Sequence, residues 1–258
     1  MRRGILLRLQ VCLTRAARRE DPPCTMSLTL TNIPSIMRYQ GWKNGARLLD
    51  NWFSRSSAIA PAYGPADTTT IKMDGFVLTF TRARLVYEGL VKEKIWSNPK
   101  AKVEIRRLLN RLGRLGRPRG WFGDINLAPS ILERDYINFR TVTFGIFDSD
   151  DLAASLGKFT FRVVIAGESE AVRSGKTKVY VHQVGIYVRD SFDFNGDQFL
   201  GFWDDSDNSV SMINPLSGDK VTNASFRDYR SKTGKGGDFL VYSDTKKLML
   251  AEPDVFEV

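Results

Sequence analysis

Residues 179–205 read VYVHQVGIYVRDSFDFNGDQFLGFWDD, and this stretch decides the fold. Its first part, 179–188, is rich in β-branched and aromatic residues at alternating positions, which predicts a strand. A similar run, FTFRVVI at 159–165, precedes it across the polar loop 167–176, so the two strands are expected to pair antiparallel. The second part, 188–205, mixes aspartates with phenylalanines and a tryptophan.

This acidic and aromatic second part needs an explanation of its own. Carboxylates are buried in proteins only when they are paired, metal-bound or hydrogen-bonded. Residues 188–205 therefore hold either exposed acids above an aromatic core or a functional site whose acids are held by the aromatic residues. Either way, this stretch is where the sequence places the candidate site.

Upstream of these strands, apolar residues recur at helical spacing. Residues 33–53 predict one amphipathic helix or two short ones, and 76–95 and 100–115 predict two more. After them, YINFRTVTF at 136–144 is again rich in β-branched and aromatic residues. Helices first and strands later predict an α+β chain with a mostly antiparallel sheet.

The chain divides into three segments. Residues 1–25 hold six arginines and both cysteines, and we expect a disordered or non-native extension there, with Met26 as a plausible start. Residues 26–120 are the expected helical part, and 121–258 the antiparallel β-rich part that carries the candidate site. Since no cysteine follows residue 24, disulfides, thiolate metal sites and a cysteine nucleophile are excluded from the folded part. No run of about 20 apolar residues occurs, so no transmembrane helix is expected.

The predicted helix at 100–115 is strongly basic, in a chain whose net charge is +9. Its basic residues are Lys100, Lys102, Arg106, Arg107, Arg111 and Arg114. The residues of its expected apolar side are Val103, Ile105, Leu108, Leu109, Leu112 and Leu115. Such a helix binds nucleic acid, an anionic membrane or an acidic partner, or simply presents a solvated face. It has no base-stacking aromatic residue, so nucleic-acid binding is not expected.

Four side chains after the strand have the spacing of a calcium loop. Positions 1, 3, 5 and 12 of a twelve-residue window are Asp193, Asn195, Asp197 and Asp204. Position 6, where the loop turns sharply and prefers glycine, is Gln198, and Asp at position 12 is shorter than the usual Glu. Hard oxygen ligands predict Mg²⁺ or Ca²⁺ as the cofactor. The alternative is a set of exposed acids on a bent strand or turn.

His182, the only histidine, narrows the possible chemistry. In the strand 179–188 it is expected to share a face with Tyr180, Val184 and Ile186, as a packed or edge residue. His-rich zinc sites and Cys–His dyads are excluded, and no G-x-S-x-G motif occurs. Acid–base chemistry by carboxylates and phosphate binding by arginine and lysine remain.

Arg227 and Arg230 precede a glycine-rich loop, KTGKGGD at 232–238. Such a loop beside arginines can hold phosphate or pyrophosphate, although the Walker spacing is missing. The alternatives are a tight turn between a helix and a strand, or ion pairs between these arginines and the aspartate cluster. Our hypothesis assigns phosphate binding to the two arginines, and acid–base catalysis or metal binding to Asp190 and Asp193.

Three separated motifs carry a resemblance to a known family. They are IPSIMRYQGWKNGARLLDNWF at 33–53, DSFDFNGDQFLGFW at 190–203 and NASFRDYRSKTGKGGDFLVYSD at 223–244. Together they resemble an uncharacterised family of proteobacterial proteins found with type VI secretion and polymorphic-toxin loci. The resemblance implies a Gram-negative bacterium and a role in interbacterial competition.

A shorter resemblance lies inside the second motif. Asp190 and Asp193 are similar to the Asp-x-Tyr-Asp half of the signature in colicin M-like bacteriocins, which cleave lipid II at its pyrophosphate. The resemblance implies that both are catalytic acids. Phe192 stands where that family has Tyr, and Phe199 and Leu200 stand where its His-Arg pair would fall.

These features predict a type VI secretion-associated antibacterial effector, a metal-dependent phosphoesterase-like hydrolase of an anionic envelope substrate such as lipid II. It would reside in the bacterial cytoplasm before secretion and in the periplasm of the target cell, with a secretion-apparatus or immunity protein as partner. The alternative is a non-enzymatic adaptor, cargo partner or immunity protein of the same loci. Its contact surfaces would then be the basic helix, Trp42 and Trp52.

Overall fold

The computed structural model describes residues 28–57, 64–145 and 148–258. The extension expected at 1–25, and Met26 after it, lie outside the described residues. Within the described ranges, no helix is both long enough and apolar enough to cross a membrane.

Several helices begin at caps that the sequence makes recognisable. Asn98 accepts a hydrogen bond from the Ala101 N–H at 2.9 Å, and Pro99 follows as the first helical residue. A left-handed φ of +83° at Gly41 separates the first two helices, so residues 33–53 form two helices rather than one. The α-helices are α1 (Ile33–Tyr39), α2 (Lys43–Ser54), α3 (Thr81–Lys92), α4 (Pro99–Arg111), α5 (Pro129–Leu132), α6 (Asp151–Leu156) and α7 (Asn223–Thr233). Single turns of 3-10 helix lie at Leu30–Asn32, Val77–Thr79 and Ile95–Ser97.

A long antiparallel hairpin forms the centre of the main sheet. The expected pairing of the two long strands is confirmed, and Asp190 lies inside the second because that strand continues past 188. The hairpin strands are β3 (Phe159–Ala171) and β4 (Thr177–Phe192). Strand β3 also pairs antiparallel with β1 (Gly120–Phe122) and β2 (Asn138–Val142). Strand β4 also pairs antiparallel with β8 (Phe239–Tyr242) and β9 (Lys246–Glu257). A second, three-stranded sheet consists of β5 (Phe199–Asp204), β6 (Ser209–Ser211) and β7 (Asp219–Thr222).

A bulge in β4 corrects the face expected for His182. The register of β4 with both β3 and β9 skips this residue. One extra residue in a strand reverses the alternation of side chains that follows it. Val184 and Ile186 therefore join Val179 and Val181 in the main core, and the expectation that they share a face with His182 is wrong.

One apolar core joins the helices to the sheet. Buried side chains of α1–α4 and of β3, β4 and β8 form a single cluster, in which Trp52, Trp96 and Phe161 are fully buried. A smaller cluster that includes Tyr187 and Tyr242 lies apart from it. The predicted α+β class, with N-terminal helices followed by antiparallel strands, is confirmed.

Helix α4 buries a narrower face than its sequence predicts. Ile105, Leu108 and Leu109 are buried, whereas Val103 is 52% exposed and Leu112 is 40% exposed. At 100° per residue, Val103 lies on the side of the helix opposite Leu108. The assignment of Val103 and Leu112 to the buried side is therefore wrong.

Candidate functional site

A cleft of about 750 Å³ opens between the N-terminal helices and the small sheet. Its walls come from α1 and α2, from the segment after β2 with α6, from the end of β4 and from β5. Of the predicted site residues, Asp190, Asp193 and Asn195 line the cleft. The lining does not include the other four, which are Asp197, Asp204, Arg227 and Arg230.

Asp190 is a carboxyl group on the core-facing side of β4. Val188 and Phe192, two residues before and after Asp190, pack in the main core. Because side chains two positions apart in a strand share a face, Asp190 also points to the core side. Arg189 directs its Nε to Glu133 Oε1 at 3.7 Å. Burial raises the pKa of Asp190 well above its usual range, opposed by the Ser191 amide and the Arg189 charge and reinforced by Asp193. Asp190 therefore keeps its proton to a higher pH than an ordinary aspartic acid.

Asp193 lies just beyond the end of β4. Its Oδ1 accepts a hydrogen bond from the Asn195 N–H at 3.1 Å, which closes a local turn. The next residue, Phe194, stacks on Phe226 with ring centroids 3.8 Å apart and meets Trp52 edge-on at 4.9 Å. These ring contacts anchor the backbone that carries the Asp193 carboxyl between α2 and α7.

The side chain of Arg227 binds the loop after β4 mainly at backbone carbonyl oxygens of that loop. Its Nη1 donates to the carbonyl oxygens of Phe194, at 2.9 Å, and Gly196, and its Nη2 donates to Asp197 Oδ1 at 3.1 Å. The alternative of an ion pair between this arginine and the aspartate cluster is thus confirmed for Asp197. The structure does not bring Arg227 to the carboxyl group of Asp190.

Arg230 and Asp238 form a buried ion pair, with side chains 9% and 0% exposed. Trp52 Nε1 donates to Asp238 Oδ1 at 2.9 Å. Burial raises the pKa of Asp238, although the Trp52 hydrogen bond and Arg230 oppose the shift. At Gly236 the φ is +97° and an added Cβ would lie 2.3 Å from the Trp52 ring, so this loop is a tight turn against Trp52. Arg230 holds the fold together behind the aromatic residues and does not line the cleft.

The predicted calcium ligands do not come together. Among the described residues, no three His, Cys, Asp or Glu side chains are grouped so that they could hold a metal ion. Asp204 Oδ1 accepts hydrogen bonds from the Ser206 hydroxyl at 2.6 Å and its N–H at 2.8 Å, and these lower the pKa of Asp204. Three of the predicted ligands, Asp193, Asp197 and Asp204, each form hydrogen bonds with a different residue.

The opposite wall contributes two acids and a lysine that sequence reasoning did not assign to the site. Asp150 caps α6 by accepting from the Ala153 N–H at 3.0 Å, and its Oδ2 accepts from Arg82 Nη1 at 2.6 Å. Burial alone would raise the pKa of Asp150, but the bonds from Arg82 and Ala153 lower it overall. Asp148 lies 3.8 Å from the same guanidinium. Lys158 lines the cleft from an exposed position.

Aromatic side chains form much of the remaining wall. Trp42 and Trp203 line the cleft and meet edge-on, with ring centroids 6.1 Å apart. Met37 and Phe144 add further apolar surface. Apolar walls with a few placed polar groups are typical of sites for small molecules and substrates.

His182 lies outside the cleft lining, on the bulge of β4. Its ring stacks on Trp121, with centroids 5.6 Å apart and an angle of 29° between the planes. Its Nε2 is 3.3 Å from Glu168 Oε2, which also pairs with Arg119 at 2.7 Å. These contacts make His182 a packed residue of the sheet surface.

No curated protein and no solved structure matches this chain. A family described as a family of unknown function, DUF6402, matches residues 28–220 and 218–258. The matched ranges include the whole cleft and the buried Arg230–Asp238 pair. The chain therefore belongs to the family of unknown function DUF6402.

Proposed function

We propose that this protein is a type VI secretion-associated antibacterial effector whose cleft is the active site of a hydrolase of the cell envelope. The proposal rests on the placement of Asp190 and Asp193 in one cleft but in unlike surroundings. Asp190 is turned inward on the strand with a raised pKa, and Asp193 sits in the turn that follows. Two carboxyl groups in unlike surroundings are a common means of supplying an acid and a base to one reaction.

The two carboxyl groups take complementary roles in this proposal. Asp193 accepts a proton from a water molecule as its oxygen attacks the scissile phosphorus. The bond from phosphorus to the leaving oxygen breaks, and Asp190 gives that oxygen its proton. Solvent then returns a proton from Asp193 to Asp190, so the net change is the addition of one water molecule.

The charges of the cleft limit what the substrate can be. Asp148, Asp150, Asp190 and Asp193 line the cleft, and Lys158 is the one basic residue among the described lining residues. In this proposal Asp190 is protonated and Arg82 faces Asp148 and Asp150, so the remaining negative charge among these four is that of Asp193. A pyrophosphate would be repelled unless a cation arrived with it. Mg²⁺ is usually bound by one or two carboxylates together with substrate phosphates, whereas Ca²⁺ takes about six to eight oxygen ligands. In the metal-dependent form of the proposal, Asp193 would hold a Mg²⁺ that enters with a substrate such as lipid II instead of acting as the base, and the ion would neutralise the phosphate charge.

The biological setting of the proposal comes from the sequence resemblances. The three long motifs support type VI loci, and the Asp190–Asp193 half-motif supports an envelope pyrophosphate as the target. The protein would wait in the producer's cytoplasm and act in the target cell's periplasm. A secretion-apparatus component and an immunity protein would be its partners.

Expression in a Gram-negative host, with and without a periplasmic export signal, tests this proposal. We expect loss of viability only for the exported protein. Asp193→Ala and Asp190→Asn should each reduce killing at least about 100-fold, since acid–base catalysis contributes about 10²- to 10⁴-fold. Asp197→Ala is the matched control, because Asp197 is an aspartate of the same loop whose side chain is 94% exposed and outside the cleft lining.

Circular dichroism and urea unfolding must show that each variant is folded. Killing that persists in a folded Asp193→Ala protein would rule out the proposed base. Killing confined to the cytoplasmic form would rule out an envelope substrate.

A non-enzymatic adaptor, cargo partner or immunity protein is the second candidate, and one observation favours it. Ile213 and Leu216 are 68% and 93% exposed on the connection between β6 and β7, beside the cleft-lining Met212. Contiguous exposed apolar patches are typical of protein contact sites, and these two side chains would supply the apolar part of one. Trp52 cannot contribute to such a contact, because it is fully buried. Absence of toxicity in both compartments would favour this candidate over the hydrolase.

A further inference from the structure

The solvent face of α4 is cationic with an aliphatic centre. Val103 is 52% exposed at the middle of that face. At 100° per residue, Lys100, Arg106, Arg107 and Asn110 lie within about 60° of it around the helix. All four are exposed. The face therefore surrounds one aliphatic side chain with long basic ones.

The positive charge of this region is only partly neutralised within the protein. Residues 99–119 contain eight basic residues and one acidic residue, Glu104. Glu104 pairs with Arg107 at 2.5 Å, and Asp135 pairs with Arg111 at 2.6 Å. Among the described residues, no carboxylate forms an ion pair with three exposed cations of this region, which are Lys100, Arg106 and Arg117.

We propose that this face of α4 docks on the surface of an anionic phospholipid membrane. Each lysine or arginine near such a surface contributes about 1 kcal/mol of attraction, so Lys100 and Arg106 on this face, with Arg117 in the segment just after the helix, support weak and reversible binding. Val103 adds a small aliphatic contact at the headgroup level, while the main apolar face of α4 stays in the protein core, so the attraction is mainly electrostatic. This proposal concerns α4 and the basic segment that follows it, and it does not depend on the chemistry of the cleft.

The same cations could meet nucleic acid, but the rest of the face does not suit it. Sequence-tolerant binding of single strands uses exposed aromatic rings for base stacking, and α4 has none. Backbone binding of a duplex has no use for the exposed aliphatic Val103 at the centre of the face. The observations therefore favour a lipid surface, and duplex DNA serves as a competing probe.

Co-sedimentation of the full chain with vesicles tests the proposal. Phosphatidylcholine vesicles with about one third phosphatidylglycerol should bind the protein, pure phosphatidylcholine vesicles should not, and binding should fall as salt rises. The triple variant Lys100→Glu, Arg106→Glu and Arg117→Glu should bind at least about tenfold more weakly. The matched control is Arg173→Glu, Lys232→Glu and Lys235→Glu, which changes the net charge equally at exposed positions elsewhere. It should retain most of the binding.

Two results would overturn the proposal. One is an equal loss of vesicle binding in the α4 variant and the control, which would show that binding depends on net charge and not on this face of α4. The other is binding to duplex DNA that the α4 variant loses, with no binding to the anionic vesicles. Val103→Ser gives an independent check, since it should weaken vesicle binding without changing its dependence on salt.

Discussion

The carboxyl groups of Asp190 and Asp238 both lie at least partly inside the protein, and the fold treats them in opposite ways. Asp238 is fully buried, paired with Arg230 and hydrogen-bonded to Trp52 Nε1 at 2.9 Å. Asp190 lies part-buried in the cleft wall, and the neighbouring Arg189 is directed to Glu133. Burial raises the pKa of both carboxyl groups.

This difference indicates that the Asp238 carboxyl group stabilises the fold, whereas the Asp190 carboxyl group can contact a molecule bound in the cleft. The partners of Asp238 are themselves buried, so its role is to satisfy Arg230 and Trp52 inside the fold. Among the described residues, no buried side chain forms such an ion pair with Asp190. A carboxyl group kept in a cleft at a cost in stability is characteristic of functional sites. Substitutions at the two positions should therefore have opposite effects on stability.

The largest effect is expected at Asp238. Asp238→Ala leaves Arg230 as a buried charge without a counter-ion and should lower the free energy of unfolding by about 3–5 kcal/mol. Urea unfolding followed by tryptophan fluorescence measures the loss. Combining Asp238→Leu with Arg230→Met should restore most of it, because an apolar pair can replace a buried ion pair. A loss below about 1 kcal/mol for Asp238→Ala would remove the contrast with Asp190.

A smaller effect of opposite sign is expected at Asp190. The raised pKa means that the folded protein binds this proton more tightly than the unfolded chain, so its contribution is present at low pH and is lost as pH rises through the raised pKa. Asp190→Asn resembles the protonated form at every pH. The variant should match the wild type below about pH 4 and then exceed it in stability, by about 1.4 kcal/mol for each unit of pKa shift.

Urea unfolding of both proteins between acidic and neutral pH tests this prediction. A constant difference over that range would show that the Asp190 carboxyl titrates like an exposed one. Together with lost killing, higher stability at neutral pH would show that this carboxyl is kept for function.

The smallest effect is expected at Asp197. Its side chain is 94% exposed and pairs with Arg227 at 3.1 Å. Exposed ion pairs contribute little, so Asp197→Ala should change the free energy of unfolding by less than about 0.5 kcal/mol. A loss above about 2 kcal/mol would mean that Arg227 needs this carboxylate in order to hold the loop backbone.

The fold class followed from local patterns, and two of the predicted site residues lie in the cleft. The runs at 159–165 and 179–188 predicted the central hairpin because alternating β-branched and aromatic residues suit a half-buried strand. Asp190 and Asp193 were predicted as site residues from their setting in aromatic sequence, and both line the cleft.

The remaining features depend on contacts between distant parts of the chain. Trp52 donates a hydrogen bond to Asp238, 186 positions away in the sequence, and Arg230 pairs with the same carboxyl group. No local sequence pattern predicts either contact. Asp150 and Lys158 reach the cleft because α6 packs near α2 and β4, which is a tertiary event. The bulge at His182 was missed because the strand was read as one regular alternation, although its β-branched residues shift phase by one position between Val181 and Val184.

The bulge at His182 decides which side chains face the core in the part of β4 that follows it. Counted in steps of two from Val179 and Val181, the inward positions would continue through Gln183, Gly185, Tyr187 and Arg189. The residue skipped at 182 moves the count by one, and the inward series becomes Val184, Ile186, Val188, Asp190 and Phe192. The acid in the cleft and the hydrophobic positions of the strand therefore depend on the same irregularity. Deleting His182 would leave a regular strand with both still facing inward, whereas pairing residue 182 regularly, without the bulge, would turn both outward together.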